Sequence, residues 1–117
     1  MVISRGDVRW VSFGSPTGSG PGYRRPAVVV SADSFNSSAI NTVVVAVMSS
    51  NLSLQLAPGN VLVPAVRSGL PKDSVVNVSQ LATIDKRLLD EAVGALDVDT
   101  MDEIERELRL VLQLDVA

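Results

Sequence analysis

Two adjacent arginines, Arg24 and Arg25, stand between a loop of glycines, serines and prolines and a run of β-branched residues opened by Pro26. Such a run makes a buried strand, so two permanent positive charges sit at the mouth of a core element. Pro26 lacks an N–H and holds a fixed φ, which suits the first position of a strand and drives Arg25 into an extended conformation. A guanidinium on a rigid support beside a mobile loop grips phosphate well, because its planar fork matches two phosphate oxygens and it never loses its charge. The competing reading is that both arginines are solvated edge charges that block aggregation.

What the chain lacks narrows the chemistry. It has no histidine and no cysteine, which removes the usual nucleophilic triads and dyads and the common zinc sites. Gly18, Gly20 and Gly22 do not lead from a strand into a helix, so they form neither a dinucleotide fingerprint nor a P-loop. Acidic residues cluster only in the last helix, at the spacings of a solvated face, which argues against metal-assisted hydrolysis. This kit suits cleavage of RNA, whose own 2′-hydroxyl is the nucleophile: the protein need only orient it and stabilise the crowded phosphate. Arginine and a hydroxyl can serve such a reaction. Neither is a good general base, since arginine stays protonated and the serine proton is tightly held.

The elements that must position these groups follow from the hydrophobic pattern. Asp7 to Phe13 alternates, placing Val8, Trp10 and Ser12 on one face of a first strand and Arg9, Val11 and Phe13 on the other. The stretch from Gly14 to Gly22 is a long loop without core-forming residues, and Ala27 to Ser31 is the second strand. A polar connection follows, with one irregular helical turn anchored by Phe35. Thr42 to Met48 is apolar on both parities and therefore a central strand buried on both faces. Its pattern stops at Ser49-Ser50-Asn51, where a small hydroxyl at a strand exit most commonly caps a turn.

Leu52 to Asn60 reads as a loop and Val61-Leu62-Val63 as a short strand closed by Pro64. Ser68 to Asp73 is a turn cluster, Ser74 to Ser79 a strand, and Gln80 to Asp85 another or its continuation. Lys86 to Glu91 looks like a helical turn, before a last short strand at Val93 to Leu96. Thr100-Met101-Asp102-Glu103 has the form of a capping box. Met101, Ile104, Leu108, Val111 and Leu112 then fall on one stripe of a closing helix, with Leu110 and Leu114 off it, exposed singly or facing a second subunit. The whole describes a mainly β (α+β) domain, a small antiparallel sheet bending towards a barrel. The barrel spans residues 1–97 and the helix 98–115, within a single domain over 1–117.

The formal net charge of −3 conceals a division. Up to Leu89 eight basic residues face four acidic ones, whereas from Asp90 onward two face nine. A basic body can bind anions locally despite an acidic whole. The absence of cysteine, of an apolar leader and of any membrane-length run indicates a cytosolic protein.

Four stretches carry a resemblance: Arg5-Gly6-Asp7-Val8; the Gly-rich loop running into Arg25-Pro26 and a valine strand; Gly69-Leu70-Pro71-Lys72-Asp73-Ser74-Val75; and Gln80-Leu81-Ala82-Thr83-Ile84-Asp85-Lys86-Arg87-Leu88. In this order, over nearly the whole chain, they resemble the MazF/PemK toxins. The resemblance implies an SH3-like barrel and a bacterial, cytoplasmic, homodimeric endoribonuclease that cuts single-stranded RNA at a short motif. No metal or other cofactor is implied, and the products carry a 2′,3′-cyclic phosphate and a 5′-hydroxyl. The family's catalytic arginine falls on Arg25 and its catalytic hydroxyl on Ser49, with Ser50 the alternative one residue on. Tyr23, Arg24, Ser50, Arg67 and Lys72 are the candidate RNA contacts. Tyr23 and Trp10 are the aromatics that could stack on a base, and for Trp10 a core place comes first. An antitoxin whose acidic segment lies across the groove is also implied. Some relatives place a histidine or an extra carboxylate at the site; with no histidine here, the acceptor of the 2′-hydroxyl proton is open. Two other readings stand beside this one: a gyrase-poisoning toxin on the same barrel, dependent on the chain end at Val116-Ala117, and a binding module that leaves RNA intact.

Overall fold

A computed structural model of the protein describes residues 1–114. Six strands, β1 (Asp7–Ser12), β2 (Arg24–Val29), β3 (Thr42–Ser49), β4 (Val61–Val63), β5 (Ser74–Asp85) and β6 (Leu89–Ala95), form one antiparallel sheet. Their order across the sheet is β4-β5-β3-β2-β1-β6. Short helices α1 (Asp33–Asn36) and α2 (Ala65–Ser68) lie in the connections, and α3 (Val98–Leu112) closes the described chain. This is the mainly β, barrel-like sheet with a C-terminal helix that the pattern indicates. Among the described residues no helix is long and apolar enough to cross a membrane.

The central strands carry two cores, one on each face of the curled sheet. Val8, Val28, Ala46, Met48, Val76 and Val78 pack with Met101 and Ile104 of α3. On the opposite face Val11, Ala27, Val29, Val43 and Val45 pack with Ile3, Ile84 and Leu89. The period-2 geometry explains the division: Val28 and its neighbours Ala27 and Val29 must point to opposite sides. Valine fills both layers because its branched Cβ suits a pleated, two-sided surface.

Several boundaries differ from the sequence pattern. The second strand opens at Arg24, two residues before Pro26, because Arg24, Arg25 and Pro26 all pair with β1, opposite Ser12, Val11 and Trp10. The two halves of the Ser74–Asp85 segment are one strand. Its register slips between Ala46, which faces Leu81, and Val47, which faces Asn77, leaving Val78 to Gln80 without partners on β3. The last strand begins at Leu89 rather than Val93, after a 3₁₀ turn over Lys86–Leu88. In the connection at 32–38 the buried anchor is Asn36, whose side chain bonds Ser31, and Phe35 is 38% exposed.

Edge strands β4 and β6 do not pair with each other; the α2 turn fills the gap. Gly69, at φ 79°, and Gly94 come so close that a Cβ on Gly69 would collide with the Val93 carbonyl, and one on Gly94 with the Ser68 carbonyl. Glycine is required at both places by this approach, and Gly69 also by its left-handed backbone.

The closing helix starts at Val98, where the sequence reading begins it, but its cap is not the Thr100 of the capping-box form. Its N-cap is Asp97, whose carboxylate accepts the Thr100 N–H at 2.9 Å, and Thr100 is itself buried in the first turn. Met101 and Ile104 are buried, but Val111 and Leu112 are 43% and 49% exposed, not covered by the other described residues. Leu110 and Leu114 are exposed as well. The helix ends at Leu112, with Gln113 in the left-handed conformation; residue 115, where the sequence pattern ends it, lies outside the described residues.

Hydrogen bonding from Thr100, first through its side chain and then through its backbone N–H, holds the Asp97 carboxyl below the usual range. A carboxylate with a lowered folded pKa stabilises the protein above its unfolded value, and that contribution is lost as pH falls through the folded one. Asp97→Ala is therefore expected to lower the melting temperature at neutral pH. The gap to the parent should close as the solution is acidified below the ordinary carboxyl range. A gap of constant size across the acid range in thermal melts would show that the cap is not its source.

Candidate functional site

Strands β2 and β3 pair only from Ala27 opposite Val47 to Val29 opposite Val45. Pro26 has no N–H to continue the ladder, and the strands part beyond it. Into the opening point the start of β2 and the end of β3. The resulting groove, of about 290 Å³, is lined by Arg24, Arg25 and Pro26, by Met48, Ser49 and Ser50, by Trp10 of β1, and by Leu70, Pro71, Lys72 and Ser74. The last four arrive on the segment that Gly69 anchors against β6.

Three cations line the groove and no carboxylate does. The exposed Arg25 guanidinium makes no hydrogen bond or ion pair with any described residue. The Lys72 ammonium is likewise without a partner among them. Arg24 is engaged: its Nη2 donates to Asp90 Oδ2 at 2.6 Å and its guanidinium lies 4.8 Å above the centroid of the Trp10 ring. Ser49 Oγ accepts the Asn51 N–H at 3.1 Å, which orients the hydroxyl and leaves its own proton free to donate. Ser49 thus caps a turn and faces the groove at once. Among the described residues no group of three or more acidic, histidine or cysteine side chains could hold a metal.

Of the residues singled out in the sequence, Arg24, Arg25, Ser49, Ser50 and Lys72 come together here, although they lie up to 48 positions apart. Tyr23 and Arg67 do not line the groove. Tyr23, at φ 60°, projects from the loop base, where its backbone bonds Gly14 and Phe13. Arg67 reaches Thr100 in the first turn of α3 at 3.5 Å. The sequence places Trp10 in the core; its ring packs on the core and also lines the groove. Leu70, Pro71, Met48 and Ser74 carried no sequence signal as lining residues beyond the turn cluster at 68–73. Val116-Ala117, on which the gyrase reading depends, lies outside the described residues.

A small curled antiparallel sheet with a C-terminal helix makes an SH3-like barrel, and its groove at the strand splay is cationic and free of carboxylates. The sequence matches that of the PemK-like, MazF-like toxins of type II toxin-antitoxin systems over residues 4–112, and the chain belongs to this family. It is 46% identical over 114 residues to endoribonuclease MazF6 of Mycobacterium tuberculosis, covering 97% of this chain and all of that one. Endoribonuclease EndoA of Bacillus subtilis is 32% identical, with 97% of each chain covered. Among solved structures, MazF of Deinococcus radiodurans superposes with a TM-score of 0.81 at 24% identity, covering 97% of this chain and 98% of that one. A mycobacterial endoribonuclease in complex with its cognate antitoxin gives 0.76 at 22%, covering 99% and 98%.

Proposed function

We propose that the protein is a toxin endoribonuclease that cuts single-stranded RNA, whether mRNA, tRNA or rRNA, at a short sequence motif in the bacterial cytoplasm. The observation that supports this reading is the presence of an unengaged guanidinium, Arg25, and an oriented hydroxyl, Ser49, in one groove whose charged lining residues are all cations. The 2′-hydroxyl of the substrate attacks the adjacent phosphorus and the bond to the 5′-oxygen breaks, leaving a 2′,3′-cyclic phosphate and a 5′-hydroxyl. Arg25 donates to the non-bridging oxygens as charge gathers on them and supplies hydrogen bonding to the leaving 5′-oxygen. Ser49 donates to the same phosphate and fixes its orientation, with Ser50 beside it. With no carboxylate lining the groove, water is the carrier proposed for the proton: it takes the one released by the 2′-hydroxyl and returns one to the 5′-oxygen that Arg25 stabilises as it leaves. Lys72 and Arg24 hold the flanking strand, and Tyr23 and Arg67 lie outside this inner set. The protein acts as a homodimer and is silenced by a cognate antitoxin whose acidic segment occupies the cationic groove.

The test is to expose a long RNA briefly to the protein in excess chelator and map the new ends. Fragments with 5′-hydroxyl and cyclic phosphate termini at one recurrent motif are expected. Intact RNA would remove the enzyme, and fragments with 5′-phosphates would remove this chemistry.

A further inference from the structure

From β2 the Arg24 side chain reaches over Trp10 of β1 to Asp90 of β6 at the rim of the groove. The two residues it touches are fixed. The Trp10 ring packs on the core, and the Asp90 backbone is held by its carbonyl, which accepts from the buried Arg9 at 2.9 Å. Between them lies a long, flexible guanidinium, stacked on the ring on one side and paired with the carboxylate on the other. The Arg24 and Asp90 side chains are 57% and 51% exposed, so both contacts are made in water, where an ion pair and a cation over an aromatic face are weak. Arg24 therefore covers the flat aromatic surface that faces the groove, and it does so loosely.

We propose that Trp10 is a base-stacking platform of this groove and that Arg24, held in place by Asp90, is a cover that the arriving strand displaces. The proposal rests on the reading of the groove as an RNA site and adds to it the place where a nucleobase is held. A base offers the indole a broader face than a guanidinium does, and stacking on an aromatic side chain is tolerant of base identity. Arg24 loses little by moving, because a phosphate of the same strand replaces Asp90 as its partner. Asp90 is a positioning residue: it parks Arg24 over the ring when the groove is empty and competes with phosphate for it afterwards. Only a strand whose base can swing out of its own stack can make the exchange, which favours single strands over duplex.

Trp10 is the sole tryptophan of the chain, so intrinsic fluorescence reports on this surface directly. The experiment uses a fluorescein-labelled, fully 2′-O-methylated single-stranded oligonucleotide of mixed sequence, with binding followed by anisotropy and Trp10 accessibility by acrylamide quenching. In the free protein, Asp90→Asn and Arg24→Ala should make Trp10 more quenchable, and Asp90→Glu should restore the parent value. Saturation with the oligonucleotide should shield Trp10, and Trp10→Leu should weaken binding about tenfold while Trp10→Phe keeps most of it. Binding by the parent that leaves Trp10 as accessible as before would overturn the platform and leave the RNA reading standing. Unchanged quenching in Asp90→Asn and Arg24→Ala would overturn the cover, whether or not Trp10→Leu folds. An oligonucleotide that fails to bind the parent at all would overturn the RNA reading and the platform together.

Discussion

Arg25→Ala is expected to reduce RNA cleavage by about a hundredfold to a thousandfold, the loss that follows removal of one preorganised donor from a developing oxyanion, and to leave thermal stability unchanged. Both halves come from the same observation. The guanidinium is exposed and has no partner among the described residues, so truncating it breaks no contact that holds the fold. Its backbone remains paired with Val11 whatever the side chain. In the groove, by contrast, its charge is not already engaged, whereas that of Arg24 is paired with Asp90; Lys72 is unengaged too, but it presents a point charge rather than a planar fork. Arg25→Lys should recover only part of the rate, because an ammonium cannot present two parallel donors to a phosphate. Ser49→Ala should cost less, for its Asn51 N–H partner lies at an exposed turn where water replaces the lost acceptor. The check is a single-turnover cleavage assay beside a thermal melt. An Arg25→Ala protein that cuts at the parental rate would remove this residue from the reaction.

The largest effect on stability should come from Asp7→Ala. Arg9 is 3% exposed, buried in a sheet interior as few arginines are. Its Nε and Nη2 donate to Asp7 Oδ2 at 3.1 and 2.9 Å, and further bonds reach the carbonyls of Val2 and Asp90 at 2.8 and 2.9 Å. Asp7 in turn accepts the Ser4 N–H at 3.0 Å, so the pair ties the start of the chain to β1 and β6. Removing the carboxylate leaves a buried guanidinium without its counter-charge, which costs about 3–5 kcal/mol. Against a total stability of about 5–15 kcal/mol, that lowers the melting temperature by more than about 10 °C. Replacing both residues, as Asp7→Leu with Arg9→Met, should recover part of the loss because no charge is stranded. A melting temperature within a few degrees of the parent for Asp7→Ala would show that water reaches Arg9 after all. The same network holds the Asp90 backbone, so the variant should also disturb the rim of the groove.

The fit between sequence and structure divides along physical lines. Valine on both parities at 42–48 placed β3 correctly at the centre of the sheet, because burial on two faces is written into the residue types themselves. The hydrophobic pattern starts the second strand at Ala27, three residues late, since a charged residue can occupy a ladder when its side chain reaches solvent, and Arg24 and Arg25 do so. The capping-box form at Thr100 misses the cap of α3, because the Asp97 carboxylate three residues earlier accepts the Thr100 N–H and Thr100 is buried in the first turn. For Trp10 the sequence puts a core place ahead of a stacking one, and the residue both packs on the core and lines the groove. Parity reports the face of a strand and says nothing about whether that face opens into a groove at one end.

By itself the sequence determined the chemistry available to this protein: a chain without histidine or cysteine, with an Arg25-Pro26 step before a valine strand, can grip phosphate and cannot run the familiar nucleophilic triads. It also determined the strand-rich fold, because periodicity and branching are local properties. Only the tertiary structure decided which cations are unengaged, which hydroxyls share their groove, and that Arg9 is a buried structural charge where Arg25 is an exposed one. Those outcomes depend on where β2 and β3 part and on which distant carboxylate each guanidinium reaches, and pairing between strands far apart in the chain is fixed by the packing of the whole sheet.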